Sequence, residues 1–152
     1  MKTLISYFSA SGVTKKVAEE LSQLLGGDLF EIEPVEKYTD ADLDWRDQNS
    51  RSTIEMNNRD FRPAVSKKVE NMGDYDKVVI GFPVWWYTAP TIINTFIEEN
   101  DLSGKDVYIF VTSGGSGVDG GLKDLRAKYP EIKFVDGKRI QQVTNDLATW
   151  IS

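Results

Sequence analysis

Ser9-Ala10-Ser11-Gly12-Val13-Thr14 is the most informative segment of the chain, because it joins an apolar strand to an amphipathic helix. Residues 2–8 predict a strand that opens a sheet, and apolar residues recur at helical spacing over 13–25. The connection is short, hydroxyl-rich and built around one glycine. Its hydroxyls and backbone N–H groups converge above a helix N-terminus, where unpaired amides and the helix dipole favour a phosphate. In the alternative interpretation, Ser9 or Ser11 only caps the helix.

The rest of the chain alternates between strand and helix patterns. Strands are predicted over residues 29–33, 77–82, 107–112 and 132–135, and helices over 64–72, 91–99, 122–129 and 144–151. Near-continuous apolar strands that alternate with helices indicate a parallel sheet covered on both faces. The sequence therefore predicts a single α/β domain over 1–152, a three-layer α/β/α sandwich around a five-stranded parallel sheet.

One long polar crossover, residues 34–63, interrupts this regular alternation, and structureless loops of such length are often functional. Tyr38 and Trp45 are predicted to anchor it. Two interpretations of its four arginines stay open: they bind an anionic substrate or a cofactor phosphate, or they pair with neighbouring acidic side chains. The arginines are Arg46, Arg51, Arg59 and Arg62.

Composition limits the classes of function. The 152 residues, 40% hydrophobic and 28% charged, are typical of a soluble globular domain. Without Cys or His, thiolate chemistry, His-based triads and Cys- or His-ligated metal are excluded, so redox chemistry would need a bound group and no metal site is expected. The net charge of −6 argues against nucleic acid as a partner. No apolar run approaches the roughly 20 residues that span a bilayer, and no signal-peptide pattern is present, so we expect a cytoplasmic protein without a membrane partner.

Two further loops follow predicted strands at the edge where ligands bind in open parallel sheets. The loop after the third strand runs from Pro83 through Val84, Trp85, Trp86, Tyr87 and Thr88. Three adjacent aromatic residues cannot all point inward, so at least one should lie at the surface or against a planar ligand. The loop after the fourth strand is Ser113-Gly114-Gly115-Ser116-Gly117, whose glycines allow close approach of the backbone to a ligand.

The spacing of Gly115, Gly117 and Gly120 also satisfies the dinucleotide pattern G-x-G-x-x-G. We discount this match, because the chain ends too soon after it for the second half of a dinucleotide-binding fold.

The three loops, in order and each at the end of the matching strand, resemble those of the flavodoxin family over nearly the whole chain. The resemblance implies a sheet of order 2-1-3-4-5 and a site for FMN. It places the phosphate on Ser9, Ser11, Gly12, Val13 and Thr14. It places the flavin ring between the loops that begin at Pro83 and Ser113, against Val84, Trp85, Trp86, Tyr87, Thr88, Gly114, Gly115, Ser116 and Gly117.

The turn Trp85-Trp86-Tyr87-Thr88 departs from the family pattern because it contains no glycine. In electron-carrier flavodoxins a glycine-containing turn beside the flavin flips a peptide and stabilises the one-electron-reduced cofactor. A flip that needs φ > 0 would be strained in bulky residues, which favours two-electron chemistry here.

Two redox functions stay open, beside a third interpretation as a flavin-binding or regulatory protein without turnover. One is an electron carrier that docks a redox partner protein through its acidic surface. The other is an oxidoreductase that passes hydride from NAD(P)H to a quinone or similar small acceptor. Exposed Trp86 or Tyr87 would suit a homodimer interface.

Overall fold

The computed structural model of the chain describes residues 2–113 and 115–151, and it contains a five-stranded sheet. The strands are β1 (Lys2–Tyr7), β2 (Asp28–Glu31), β3 (Tyr75–Pro83), β4 (Asp106–Thr112) and β5 (Lys133–Arg139). They lie in the order β2-β1-β3-β4-β5, and every neighbouring pair is parallel. The predicted α/β class, strand order and parallel sheet are confirmed.

Helices cover both faces of the sheet. They are α1 (Val13–Leu25), α2 (Arg51–Asn57), α3 (Thr91–Glu99) and α4 (Asp119–Lys128), with short 3-10 turns at Met72–Asp74 and Asn145–Thr149. Apolar residues of α3 and α4 pack on one face of the sheet, whereas those of α1 and the C-terminal segment pack on the other. Burial of both faces explains why the inner strands are apolar along their whole length. Within the described residues, no helix is both long and apolar enough to cross a membrane.

The helix predicted over residues 64–72 is wrong. Val65 instead forms an antiparallel bridge with Pro34, and the neighbouring amide of Ser66 donates to the carbonyl of Glu33. The amide of Val69 donates to the Asn100 side chain at 3.1 Å. Since these backbone groups bond to distant partners, they are not available for helical i to i−4 bonds.

The crossover contains a helix that the sequence analysis missed. Ser50 caps α2 by accepting from the Thr53 amide, and the helix buries Ser52, Thr53, Glu55 and Met56. The predicted helix over 144–151 is in fact the 3-10 turn Asn145–Thr149, and α4 begins three residues before the predicted position of 122.

Candidate functional site

The loops after β1, β3 and β4 meet at the carboxyl edge of the sheet. The strand order makes these three strands neighbours, and backbone hydrogen bonds continue past their ends. The Phe8 amide donates to the Gly81 carbonyl at 2.9 Å, and the Val84 amide donates to the Thr112 carbonyl at 3.1 Å. The three loops of the sequence analysis are therefore held next to one another, as parallel topology requires.

The loop after β1 leaves the N-terminus of α1 without a side-chain cap. Gly12 occupies the N-cap position with a φ of 95°, and no side chain of the described residues caps the helix. Ser9 Oγ accepts from the Gly12 amide at 3.0 Å, which shapes the loop. Ser11 and Val13 are exposed. The interpretation of Ser9 or Ser11 as a helix cap is therefore wrong, and the first-turn amides have no capping side-chain oxygen among the described residues.

Thr14 lies below this loop and is buried. Its hydroxyl is 2.7 Å from the hydroxyl of Thr112, the last residue of β4. This pair joins the start of α1 to the strand that leads into the glycine-rich loop. The Thr14 hydroxyl is thus engaged within the protein, and its backbone N–H is the group that remains for a ligand.

The aromatic loop after β3 folds into a tight turn. The amide of Trp85 donates to the carbonyl of Thr88 and the amide of Thr88 to the carbonyl of Trp85, both at 3.0 Å. Trp86 has a φ of 49° and Tyr87 a φ of 64°. Such left-handed conformations are costly for aromatic residues. The predicted strain of φ > 0 in bulky residues thus does not keep this turn from adopting it. As predicted, not all three aromatic side chains point inward, since Trp86 is 40% and Tyr87 79% exposed.

Trp85 is the inward member of the three. Its ring meets those of Phe8 at 5.7 Å and Tyr38 at 5.4 Å between centroids, both edge to face. The Tyr38 hydroxyl donates to the carboxylate of Glu55 in α2. Burial, together with that carboxylate, raises the pKa of Tyr38 well above its ordinary value. Tyr38 thus anchors the crossover to the site, as predicted.

The loop after β4 is held by an arginine at the end of β5. Arg139 donates from Nε to Ser113 Oγ at 3.0 Å and from Nη2 to the Ser113 carbonyl at 2.9 Å. The Ser113 hydroxyl in turn donates to the Ser116 carbonyl. Gly115 and Gly117 face open space, with no atom near the position of a Cβ. The predicted site residue Gly114 lies outside the described residues.

A cavity of about 530 Å³ opens between these loops and the crossover. The turn after β3 and the loop after β4 form one side, and the crossover forms the other. Its lining comprises Leu43, Trp45, Ser52, Val84, Trp85, Trp86, Tyr87 and Ser116. Trp45 is 71% exposed, so its predicted role as a loop anchor is wrong, and it forms part of the cavity wall.

The loop after β1 does not contribute to this lining among the described residues. Ser11, Gly12 and Val13 instead border a second cavity of about 660 Å³ with Gln141 and Gln142. Pro83 is the last residue of β3 and pairs with Thr112 across the sheet.

The crossover arginines mostly follow the ion-pair interpretation. Arg46 Nε lies 3.5 Å from Asp44, Arg51 Nε 2.8 Å from Glu55, and Arg62 Nη2 3.0 Å from Glu98, which lies outside the crossover. Arg59 donates to the Ala89 carbonyl at 3.1 Å, and burial lowers its pKa. None of these arginines belongs to the described lining of the 530 Å³ cavity, so an anion clamp there is not supported.

Sequence reasoning missed Arg139, Leu43 and Ser52 as parts of the site. Arg139 lies at the carboxyl end of β5, so the rule that ligands gather at that edge was the available signal. Leu43 and Ser52 reach the cavity only through the path of the crossover, which no local pattern encodes.

Comparisons with known proteins agree with this geometry. The family model described as Flavodoxin matches residues 2–152. A candidate flavoprotein from Bacteroides eggerthii is 46% identical, with a TM-score of 0.96 and coverage of 99% of this chain and 95% of that chain. A second candidate flavoprotein, from Bacteroides uniformis, is 44% identical, with a TM-score of 0.94 and coverage of 99% and 97%.

A more distant relative was solved with a bound cofactor. It is a flavoprotein from Lactobacillus acidophilus in complex with FMN, 27% identical, with a TM-score of 0.72 and coverage of 91% of this chain and 92% of that chain. The comparison with curated protein sequences finds no match. The family model covers the β1 loop, the aromatic turn and the β4 loop together, and the strand order is the one that the resemblance implied. The chain belongs to the flavodoxin family.

Proposed function

We propose that this protein binds FMN noncovalently and transfers electrons through it. The observation that carries the proposal is the pairing of two features at one sheet edge. One is the uncapped N-terminus of α1, and the other is the cavity with aromatic walls. Uncapped amides at the positive end of a helix suit a phosphate dianion, and large apolar ring faces suit a planar heteroaromatic group. The residues present therefore fit the cofactor.

Each loop has a role in this proposal. Ser9, Ser11, Gly12 and Val13 hold the phosphate, and Thr14 contributes its backbone N–H because its hydroxyl is bonded to Thr112. The segment from Pro83 to Thr88 and the loop containing Ser113, Gly115, Ser116 and Gly117 orient the ring. Bound FMN supplies reversible acceptance of one or two electrons. Tyr38 and Trp85 support the cavity wall and exclude water from it.

Fluorescence titration tests the proposal with two ligands, FMN and riboflavin, which differ by the phosphate. We expect FMN to bind at least about tenfold more tightly than riboflavin, a difference of about 1.4 kcal/mol. Ser11→Ala should weaken FMN binding and leave riboflavin binding unchanged. Ser103→Ala, in an exposed loop away from this edge, is the matched control. Equal affinities for the two ligands would contradict the phosphate site.

The aromatic turn favours two-electron oxidoreductase activity over a one-electron carrier. With φ > 0 at both central residues, the turn resembles type I′. Turning over the peptide between Trp86 and Tyr87 would give a type II′ turn, whose first central position, here Trp86, strongly prefers glycine. We infer that this peptide does not flip, so the turn does not stabilise a one-electron-reduced cofactor.

An anaerobic reductive titration followed by absorbance separates the two roles. Direct passage to the fully reduced flavin, with steady oxidation of NAD(P)H and a quinone acceptor, is the expected result. A large one-electron-reduced population, without turnover of NAD(P)H, would instead indicate a carrier for a redox partner protein.

A further inference from the structure

We propose that Gly120 and Asp124, on one face of α4, are positioning residues that hold the aromatic turn Trp85–Thr88 in its left-handed conformation and thereby set how tightly FMN binds. The effect on FMN rests on the function proposed above, whereas the effect on the turn does not. Neither residue lines the 530 Å³ cavity. Both would act through the turn alone.

Gly120 touches the turn directly. A Cβ built on Gly120 would lie 2.1 Å from the Tyr87 carbonyl oxygen and 3.3 Å from its carbonyl carbon. Real Cβ atoms do not approach backbone oxygen so closely, so only glycine allows the carbonyl to rest on the helix. Any larger residue must displace either α4 or the turn.

Asp124 supplies a second contact one helical turn later. Its Oδ2 accepts from the Thr88 hydroxyl at 2.5 Å. Residues four apart lie on the same face of a helix, so Gly120 and Asp124 present one continuous surface to Tyr87 and Thr88. The carbonyl of Tyr87 and the side chain of Thr88 are thus held by the same face of α4.

The turn needs such external support. Left-handed backbone in two consecutive aromatic residues is costly and persists only where the surroundings enforce it. The side chains of Trp86 and Tyr87 are 40% and 79% exposed, so their own packing supplies little of the restraint. The two backbone bonds between Trp85 and Thr88 close the turn, and α4 fixes it to the body of the protein.

This contact also gives a role to the last glycine of the G-x-G-x-x-G pattern. Gly115 and Gly117 have open space around them, whereas Gly120 has the Tyr87 carbonyl. The pattern in this chain thus ends at a packing contact between a helix and the turn.

Gly120→Ala tests the proposal, with Gly121→Ala as the matched control. Both variants add one methyl group to neighbouring positions of α4, so the gain in helix propensity is shared. At Gly121 the new methyl would lie 3.4 Å from the Phe82 ring, an ordinary contact. Two measurements are made: amide chemical shifts of Trp86, Tyr87 and Thr88 in cofactor-free protein, and the dissociation constant of FMN.

For Gly120→Ala we expect large shift changes at the turn amides and FMN binding weakened at least about tenfold, and for Gly121→Ala neither effect. Asp124→Ala, at an exposed position, should move the Thr88 amide and weaken FMN binding by about threefold. If Gly120→Ala does not fold, the amide shifts and the FMN affinity of Asp124→Ala test whether α4 supports the turn. Unchanged turn amides in every folded variant at positions 120 and 124 would overturn the proposal. Failure of the unmodified protein to bind FMN would overturn the proposed function, while the amide shifts would still test the support of the turn.

Discussion

The hydroxyl oxygens of Thr14 and Thr112 lie 2.7 Å apart in the interior, although 98 positions separate the two residues in the chain. Thr14 is in the first turn of α1, and Thr112 ends β4. Their hydrogen bond ties the loop proposed to hold a phosphate to the strand that delivers the loop proposed to hold a ring. This buried polar pair adds a side-chain link between the two half-sites to the backbone hydrogen bonds of the sheet.

Removing one hydroxyl of this pair should lower the free energy of unfolding. Thr112→Val leaves the buried Thr14 hydroxyl without its partner, and we expect the free energy of unfolding to fall by about 1–2 kcal/mol. Thr14→Val combined with Thr112→Val should recover most of that loss, because neither position then buries an unpaired hydroxyl. Urea unfolding of the single and double variants measures both effects. A double variant whose loss equals the sum of the single losses would contradict the coupling.

Relieving the backbone strain at Tyr87 should stabilise the protein. We expect Tyr87→Gly to be about 1 kcal/mol more stable than Tyr87→Ala, because alanine keeps the left-handed penalty that glycine avoids. The side chain is 79% exposed, so both variants lose similar and small packing. Thermal unfolding compares them directly. Equal melting temperatures would show that the turn relaxes to negative φ in solution.

Arg51 should contribute to stability. Its guanidinium pairs with the buried Glu55 carboxylate at 2.8 Å and lies 3.8 Å from the centroid of the Tyr38 ring. Arg51→Ala leaves that carboxylate without its cation, and we expect a loss of about 2–4 kcal/mol. Arg46→Ala, which removes an exposed pair, should change stability by less than about 0.5 kcal/mol. Denaturant unfolding of the two variants is the measurement, and similar losses in both would be the contrary result.

Tyr129 should make the protein less stable in alkali. Burial, with the Glu98 carboxylate that accepts from its hydroxyl, raises its pKa from 10.0 to about 12. Below pH 10 the Tyr129 hydroxyl keeps its proton in both the folded and the unfolded chain, so its full contribution to the free energy of unfolding is present. Between pH 10 and 12 the unfolded chain ionises first, so the free energy of unfolding falls as pH rises, by about 1–2 kcal/mol once solvent screening is included.

Tyr129→Phe should therefore flatten the dependence of the unfolding free energy on pH in this range. Tyr87→Phe, at an exposed position, serves as the control and should keep the slope of the unmodified protein. A slope that is unchanged by Tyr129→Phe would contradict the assignment.

The strands of the sheet could be predicted from the sequence, because each inner strand is a short, nearly continuous apolar run. Runs such as Val78-Val79-Ile80 are buried on both faces of the sheet, and such runs are typical of the inner strands of a parallel sheet. Helix 91–99 was predicted with the observed bounds, since its apolar residues recur at helical spacing.

The structure of the crossover could not be predicted, because it depends on contacts between residues that are separated in the sequence. Helix α2 buries Ser52, Thr53 and Glu55, and the buried Glu55 carboxylate is matched by Arg51 of the same helix and by the hydroxyl of Tyr38, which lies outside the helix. Likewise Val65 takes its backbone partners from the segment at Pro34, so pairing across sequence distance outweighs its local helical pattern.

The candidate site shows the same contrast between features that residue types indicate locally and features that depend on distant contacts. The aromatic turn and the hydroxyl-rich loop were identifiable because unusual residue types sit at strand ends. The left-handed backbone of Trp86 and Tyr87 was not, since it depends on the contact of the Tyr87 carbonyl with Gly120.

The two walls of the 530 Å³ cavity differ in how far their sequence can change without disturbing the sheet. Val84, Trp85 and Ser116 follow strands of the sheet, so altering their backbone disturbs hydrogen bonding across the whole core. Leu43 and Trp45 belong to the crossover, which Tyr38 and Arg51 fasten at its base. Exchange of residues 39–49 would therefore redesign one side of the cavity while the scaffold stays constant. Sequence variation in this segment would therefore change the shape of the cavity and leave the sheet that supports it intact.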